Sequence, residues 1–291
     1  MGHFTNTDLD IDPGIYHDVP APAYHAANNW LGSTSIKRWV AEDCTPRQWI
    51  WERDHPKDST AAMSLGDAIH TALLEPEHYD ARYVVYDGVR NKRHKAYAEF
   101  LDSLAGETVL TPREDAIARE CARYVREEAS GVYTILRSGN SEVSGFWRDP
   151  ETGLSLKFRA DYIGQAAGRT VVLDVKTTAD VSLKARRNKL AQSKLGGPIA
   201  VQAAMYMDGV EACTGVRPDA FYILWVRTEG AVDVILDSIA PSALEWGHAK
   251  YRRALGEIAK HNESNSWPGF PRRIEELTLP TWATTEDSDG D

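Results

Sequence analysis

The stretch Leu156–Thr178, LKFRADYIGQAAGRTVVLDVKTT, limits the fold more than any other part of the chain. Two runs alternate apolar with polar residues, the pattern of half-buried strands. Between them, QAAGR is a polar, glycine-containing connection of hairpin length. Strands over about 154–163 and 170–176 are expected to pair there. Residues two apart on a strand share a face, so Asp174 and Lys176 point the same way. Pairing of the two runs brings Asp161 near Asp174. Two carboxylates and an ammonium then occupy one patch. Carboxylates suit a hard cation such as Mg²⁺. A bound divalent ion can activate water and offset the charge of a phosphoryl transition state. A lysine beside it can position that water or neutralise the attacked phosphate. Alone, an Asp-x-Lys triplet fits an exposed strand with an ion pair equally well.

Other segments add candidates in chain order. Ala61–Pro76, AAMSLGDAIHTALLEP, has the composition of a helix closed by proline. His70 lies inside it among apolar neighbours, as a core histidine or as a ligand. Ser141–Asp149, SEVSGFWRD, alternates like a strand and starts at Glu142. Its acid is either an edge charge or part of the site. Pro198–Gly209, PIAVQAAMYMDG, reads as a helix on which Gln202 and Tyr206 are one turn apart on one face. Ser33-Thr34-Ser35 can cap a helix starting near Ile36. Such a helix start also suits an anion, for example a 5′-phosphate.

The RAD…DVK pair, formed by Asp161, Asp174 and Lys176, resembles the signature of the PD-(D/E)xK nuclease superfamily. GDAIHTALLEP resembles the G-x-x-x-H helix of its RecB-like and phage exonuclease VIII-like (RecE-like) members. QAAMY resembles their Q-x-x-x-Y motif. With STSIKRW and Glu142, the resemblance spans roughly Ser33 to Trp225. Ala160 stands where the family usually has proline. The resemblance implies an α/β fold: a mixed central β-sheet flanked by helices, a restriction-endonuclease-like core, with a helical N-terminal region. It implies metal ligation by His70, Asp161 and Asp174, with the Val175 carbonyl a further candidate. It gives catalytic roles to Lys176, Asp161, Asp174, Glu142, Gln202 and Tyr206. The activity implied is a Mg²⁺-dependent exodeoxyribonuclease, with Mn²⁺ able to substitute. It would digest double-stranded DNA from its ends, 5′ to 3′, leaving 3′ single strands for recombination. A structure- or sequence-specific endonuclease is the alternative on the same fold. A non-catalytic DNA-binding recombination scaffold is the alternative from another class. The implied partners are DNA ends, a single-strand annealing recombinase, and copies of the chain itself in a ring-shaped trimer or tetramer. The implied setting is the cytoplasm of a bacterium or a phage-infected host.

Composition sets further bounds. With 291 residues, one elaborated domain is the economical reading. The expected division is an irregular N-terminal segment over 1–32, a nuclease domain over 33–270 and an acidic, disordered tail over 271–291. No apolar run is long enough to span a bilayer, and no signal-peptide pattern opens the chain. The three cysteines, Cys44, Cys121 and Cys213, are far apart in sequence. They fit a reduced compartment and are too few for the four-cysteine iron–sulfur cluster of some superfamily members. No phosphate-binding G-x-x-x-x-G-K-[ST] loop occurs. The net charge of −10 runs against DNA binding. The acidic tail and the metal-site acids carry part of it. Basic clusters also stand at Arg90–Lys95 and Lys184–Lys189. Ser33, Ser35, Arg159, Lys184, Arg186 and Arg187 are the candidate DNA contacts. Helices are also expected over 92–104, 113–130 and 243–262, the last with Trp246, Tyr251, Leu255 and Ile258 in the core. Further strands are expected near 219–227 and 231–237.

Overall fold

The computed structural model describes residues 11–17, 19–55, 61–192, 198–274 and 276–279, with the backbone alone for 61–63. Its strands are β1 (Gly14–Tyr16), β2 (Tyr83–Val85), β3 (Thr108–Leu110), β4 (Asn140–Arg148), β5 (Ser155–Ala166), β6 (Arg169–Thr178), β7 (Ala220–Arg227) and β8 (Val234–Ser238). Its helices are α1 (Ala21–Ala26), α2 (Ser33–Trp39), α3 (Pro46–Asp54), α4 (Ala61–Leu74), α5 (Tyr79–Arg82), α6 (Lys95–Asp102), α7 (Pro112–Glu127), α8 (Ser130–Ile135), α9 (Leu183–Ala191), α10 (Ile199–Thr214) and α11 (Pro241–Ser264).

The expected hairpin is β5–β6, and its strands run further than the sequence suggests. Ala166 pairs with Arg169, which leaves only Ala167 and Gly168 as the turn. Both are left-handed, at φ 51° and 78°. Positive φ at both turn positions matches the right-handed twist of paired strands. Six strands form the main sheet in the order β1-β4-β5-β6-β7-β8. Only β6 and β7 run parallel; the other pairs are antiparallel. A parallel step needs a crossover, here supplied by α9 and α10. The mixed sheet flanked by helices is thus the architecture expected. β2 and β3 pair separately.

Each face of the sheet is covered. Phe221, Ile223 and Trp225 of β7 join a core with α10 and α11. The alternate residues Leu224 and Val226 join a second core with α4 and α7. Burial on both faces explains why AFYILWVR is apolar almost throughout. Helix α10 is buried along nearly its whole length. Helix α11 crosses it so closely at Gly247 that a Cβ there would lie 2.0 Å from the Ala200 carbonyl oxygen. Only glycine permits that approach.

Several details differ from the sequence expectation. Residues 14–16 of the segment expected to be irregular form the sheet edge against β4. Leu31 makes a further bridge to Leu156. Lys157 ties this segment down by donating to the carbonyls of Tyr24 at 2.6 Å and Ala27 at 2.9 Å. Helix α6 begins at Lys95, so the basic run before it is turn. The helix expected over 113–130 is two, α7 and α8. Thr111 and Glu114 cap α7 reciprocally. Trp246 is 39% exposed, whereas Tyr251, Leu255 and Ile258 are buried. The buried face of α11 follows Gly247, Tyr251, Ala254, Leu255 and Ile258, and Trp246 lies off that stripe. Of the tail, residues 275 and 280–291 lie outside the described residues.

Candidate active site

The site forms where the sheet's regular pairing fails. Ser141 pairs with Tyr162 and Val143 with Ala160, which puts Glu142 opposite Asp161 in register without a ladder pair of its own. The β5–β6 ladder ends at Tyr162–Leu173, one step short of Asp161 and Asp174. Three acids on three neighbouring strands therefore share one row. The strand's alternation also switches here. Phe158 and Ala160 face the α10 core, and Tyr162 faces the α4 core. Glu142 sits at φ 51°, a conformation costing a non-glycine residue of order 1–3 kcal/mol. In place of a ladder bond, Asp161 Oδ2 accepts the Val175 N–H at 2.6 Å.

Helix α4 brings His70 to this gap, with its Nδ1 3.4 Å from Asp161 Oδ2. His70, Glu142 and Asp161 each offer a donor atom, all within 4.8 Å of one another. Two carboxylates and an imidazole make a donor set fit for a divalent cation. Arg159 donates from Nε to Glu142 and from Nη1 to the Val19 carbonyl at 2.8 Å. It thereby fixes the Glu142 carboxylate from the strand beside it. Burial pushes the Asp161 carboxyl up to about 6. His70 and Lys176 oppose that shift, and the charges of Asp174 and Glu142 add to it.

The structure brings the expected ligands together in part: His70 and Asp161 stand with Glu142. Asp174 is not among the three grouped donors; Glu142 is. Asp174 is 1% exposed, and both of its oxygens face other side chains. Gln202 Nε2 donates to Oδ1 at 2.7 Å, and Lys176 Nζ lies 2.5 Å from Oδ2. Val175 enters through its N–H, donated to Asp161. Lys176 is desolvated, which lowers its pKa, but Asp174 and Asp161 outweigh this and the net shift is upward. The lysine is thus held charged beside the acids. Gln202 and Tyr206 do share a face of α10. Gln202 Oε1 accepts Lys37 Nζ at 3.0 Å, and Ser33 Oγ lies 3.4 Å from the Tyr206 hydroxyl.

The candidate DNA contacts scatter. Ser33 is buried against Tyr206, which places it inside the site wall rather than on the surface. The Ser35 carbonyl accepts the Trp49 indole N–H. Arg159 belongs to the Glu142 pair. Arg186 is taken up by Asp237 and the Val181 carbonyl. Lys184 and Arg187 are exposed on α9. Arg90, in the earlier basic run, binds Glu114 and the Val109 carbonyl. Sequence reasoning passed over Lys37, although it is one turn beyond Ser33. It also passed over Asp67, one turn before His70 and within electrostatic reach of His70 and Glu142. Helical spacing of three or four flags both.

Residues 40–278 match a family described as a PDDEXK-like domain of unknown function (DUF3799). The chain belongs to that PDDEXK-like family. Among solved structures it is similar to a candidate exonuclease from Eubacterium rectale. The TM-score is 0.60 and the identity 13%, over 94% of this chain and 100% of that one. At that identity the likeness shows the fold. Another structure, SSO0001, aligns with TM-score 0.33 and 12% identity over 84% of this chain and 79% of that chain, too low to carry an argument. No curated protein matches the chain by sequence. Family and fold together support a nuclease. No helix among the described residues is long and apolar enough to cross a membrane.

Proposed function

We propose that the protein is a divalent-metal-dependent deoxyribonuclease that digests double-stranded DNA from its ends. The observation that carries this reading is the trio His70, Glu142 and Asp161, gathered from one helix and two strands beside Lys176. These three residues hold the cation, Mg²⁺ with Mn²⁺ as a substitute. When bound, it lowers the pKa of a water molecule and offsets charge on the attacked phosphate. Lys176, kept protonated by Asp174, faces the phosphate oxygens and stabilises the charge that grows during in-line displacement. Gln202 holds Asp174 from behind, so the Lys176 ammonium has one seat. Arg159 and the Val175 N–H orient Glu142 and Asp161, which limits reorganisation during the reaction.

Digestion from the 5′ end, leaving 3′ single strands for recombination, follows from the resemblance of the motifs. So does assembly into a ring that encircles duplex DNA, with a single-strand annealing recombinase as partner. A closed ring retains its substrate without a basic surface on every side, in keeping with the net charge of −10. The experiment is product analysis on duplexes labelled separately at each 5′ and 3′ end, with closed circular DNA alongside. The reading expects early release of 5′ label, late release of 3′ label and intact circles. Nicked circles would replace it with an endonuclease. Light scattering that gives a monomer at working concentration would remove the ring.

A further inference from the structure

Asp174, Lys176 and Thr178 alternate along one face of β6, and each end of that row holds a second lysine. At the Asp174 end, Gln202 bridges to Lys37 of α2, whose Nζ donates to Gln202 Oε1 at 3.0 Å. At the far end, Thr178 Oγ1 accepts Lys189 Nζ of α9 at 2.6 Å. The Lys189 ammonium also stands 5.5 Å from the centroid of the Trp225 ring. A rise of ~3.3 Å per residue makes the row roughly 13 Å long.

The partners of these two lysines set them apart from the cations around them. Arg38, next to Lys37, is ion-paired with Asp43 and Glu52. Arg186, one turn before Lys189, is ion-paired with Asp237. Lys176 is paired with Asp174. Lys37 and Lys189 hydrogen-bond only to a neutral amide and a neutral hydroxyl among the described residues. Both are half-buried, and burial acts most strongly on each; at Lys37 the like charge of Lys176 then outweighs Asp174, while at Lys189 the Asp180 carboxylate outweighs Lys176. A partly desolvated ammonium with no directly bonded carboxylate leaves room for an arriving anion.

We infer that Lys37 and Lys189 bind two backbone phosphates of the substrate strand, one on each side of the phosphate at Lys176. This rests on the nuclease reading above. The three ammoniums form a phosphate track laid along β6, with Glu142 and Asp161 level with its Asp174 end. The contacts reach the backbone alone, so they serve any base sequence. The basic α9 cluster thereby contributes through its inward lysine rather than through Lys184 or Arg187.

The test scans a DNA duplex carrying a single uncharged methylphosphonate at successive linkages, cleaved with Mn²⁺ by the wild type, Lys37→Met and Lys189→Met. Methionine keeps much of the apolar stem. Circular dichroism checks that each variant folds, and Lys37→Arg should restore most of the loss. The expected result is two sensitive linkages in the wild type, flanking the cleaved one. Each Met variant should raise KM about tenfold and flatten the salt dependence by about one phosphate contact. The linkage that hurts the wild type on one side should become silent in Lys37→Met, and the one on the other side in Lys189→Met. Wild-type cleavage with no sensitive flanking linkage overturns the inference and leaves the nuclease reading standing. So does an unchanged salt slope with a loss confined to kcat, which would make the lysines mere supports for Gln202 and Thr178. A folded wild type that neither binds nor cleaves DNA overturns both readings.

Discussion

Asp161 joins two strands that have stopped pairing: its Oδ2 accepts the Val175 N–H at 2.6 Å, one step beyond the last ladder pair, Tyr162 with Leu173. The same carboxylate belongs to the proposed metal-binding trio, and burial raises its pKa to about 6. An acid raised above its unfolded value stabilises the metal-free fold fully below the unfolded pKa. That contribution is lost as pH rises through about 6. Metal binding needs the ionised form and has the opposite slope. Affinity for Mn²⁺ should therefore fall about fivefold between pH 6 and pH 5, as the ionised fraction drops from about a half to about a tenth. Calorimetric titration at a series of pH values measures this. An affinity flat from pH 7.5 to pH 5 would remove Asp161 from the ligand set.

Lys176→Ala should leave the fold and the metal affinity nearly intact, because His70, Glu142 and Asp161 remain. Metal binding can even rise, since a neighbouring positive charge is gone. Cleavage should drop at least about a hundredfold, the order expected for loss of a preorganised charge at the transition state. A surface ion pair predicts a stability change of ~1 kcal/mol or less with normal turnover. Turnover and Mg²⁺ affinity on the one variant decide between the two.

Glu142 separates strain from charge. Glu142→Gly relieves a left-handed backbone by about 1 kcal/mol, which offsets the lost Arg159 pair. Its melting temperature should stay within a few degrees of the wild type while divalent binding falls. Glu142→Val loses the same ligand but forces a β-branched residue to φ 51°, an outlier for that side chain. Its melting temperature should be clearly lower than that of Glu142→Gly. Equal melting temperatures would show that the backbone there carries no strain.

Gly247→Ala tests the fold behind the site. The new Cβ would meet the Ala200 carbonyl at 2.0 Å, so α10 and α11 must part. A loss of roughly 1–3 kcal/mol in denaturant unfolding is expected from overpacking of this kind. Because α10 carries Gln202 and Tyr206, cleavage should weaken as well. An unchanged unfolding midpoint would mean the two helices slide apart freely.

The hairpin, the histidine helix and the helix of Gln202 were legible from local signals: alternation for β5 and β6, helix-forming composition closed by proline for α4, and the one-turn spacing of Gln202 and Tyr206 for α10. The sheet with flanking helices followed from those elements and the resemblance they carry. The gap at Asp161 was not legible, since no local pattern reports that alternation switches sides between Ala160 and Tyr162. Regular pairing placed Asp174 beside Asp161, and the ladder stops one step short of both. Glu142 reaches the donor group through a positive φ that nothing in SEVSG announces. The edge strand at Gly14–Tyr16 is only three residues long and draws its pairing from β4, so its own residues say little. Lys189 stood in the basic run Lys184–Lys189 and Lys37 was passed over; their neutral partners, Gln202 and Thr178, are distant in sequence or belong to another element.

The central claim is that His70, Glu142 and Asp161 hold a divalent ion which, with Lys176, cuts DNA. The most direct measurement is release of nucleotides from linear duplex DNA by the wild type and Asp161→Asn, each with Mn²⁺, with Mg²⁺ and with EDTA. The asparagine keeps an oxygen able to accept the Val175 N–H, so the fold should survive. The account predicts metal-dependent release by the wild type, none in EDTA, and a loss of at least about a hundredfold in the folded variant. A folded wild type that leaves every DNA substrate intact with both metals, or a variant that cuts as well as the wild type, would contradict it.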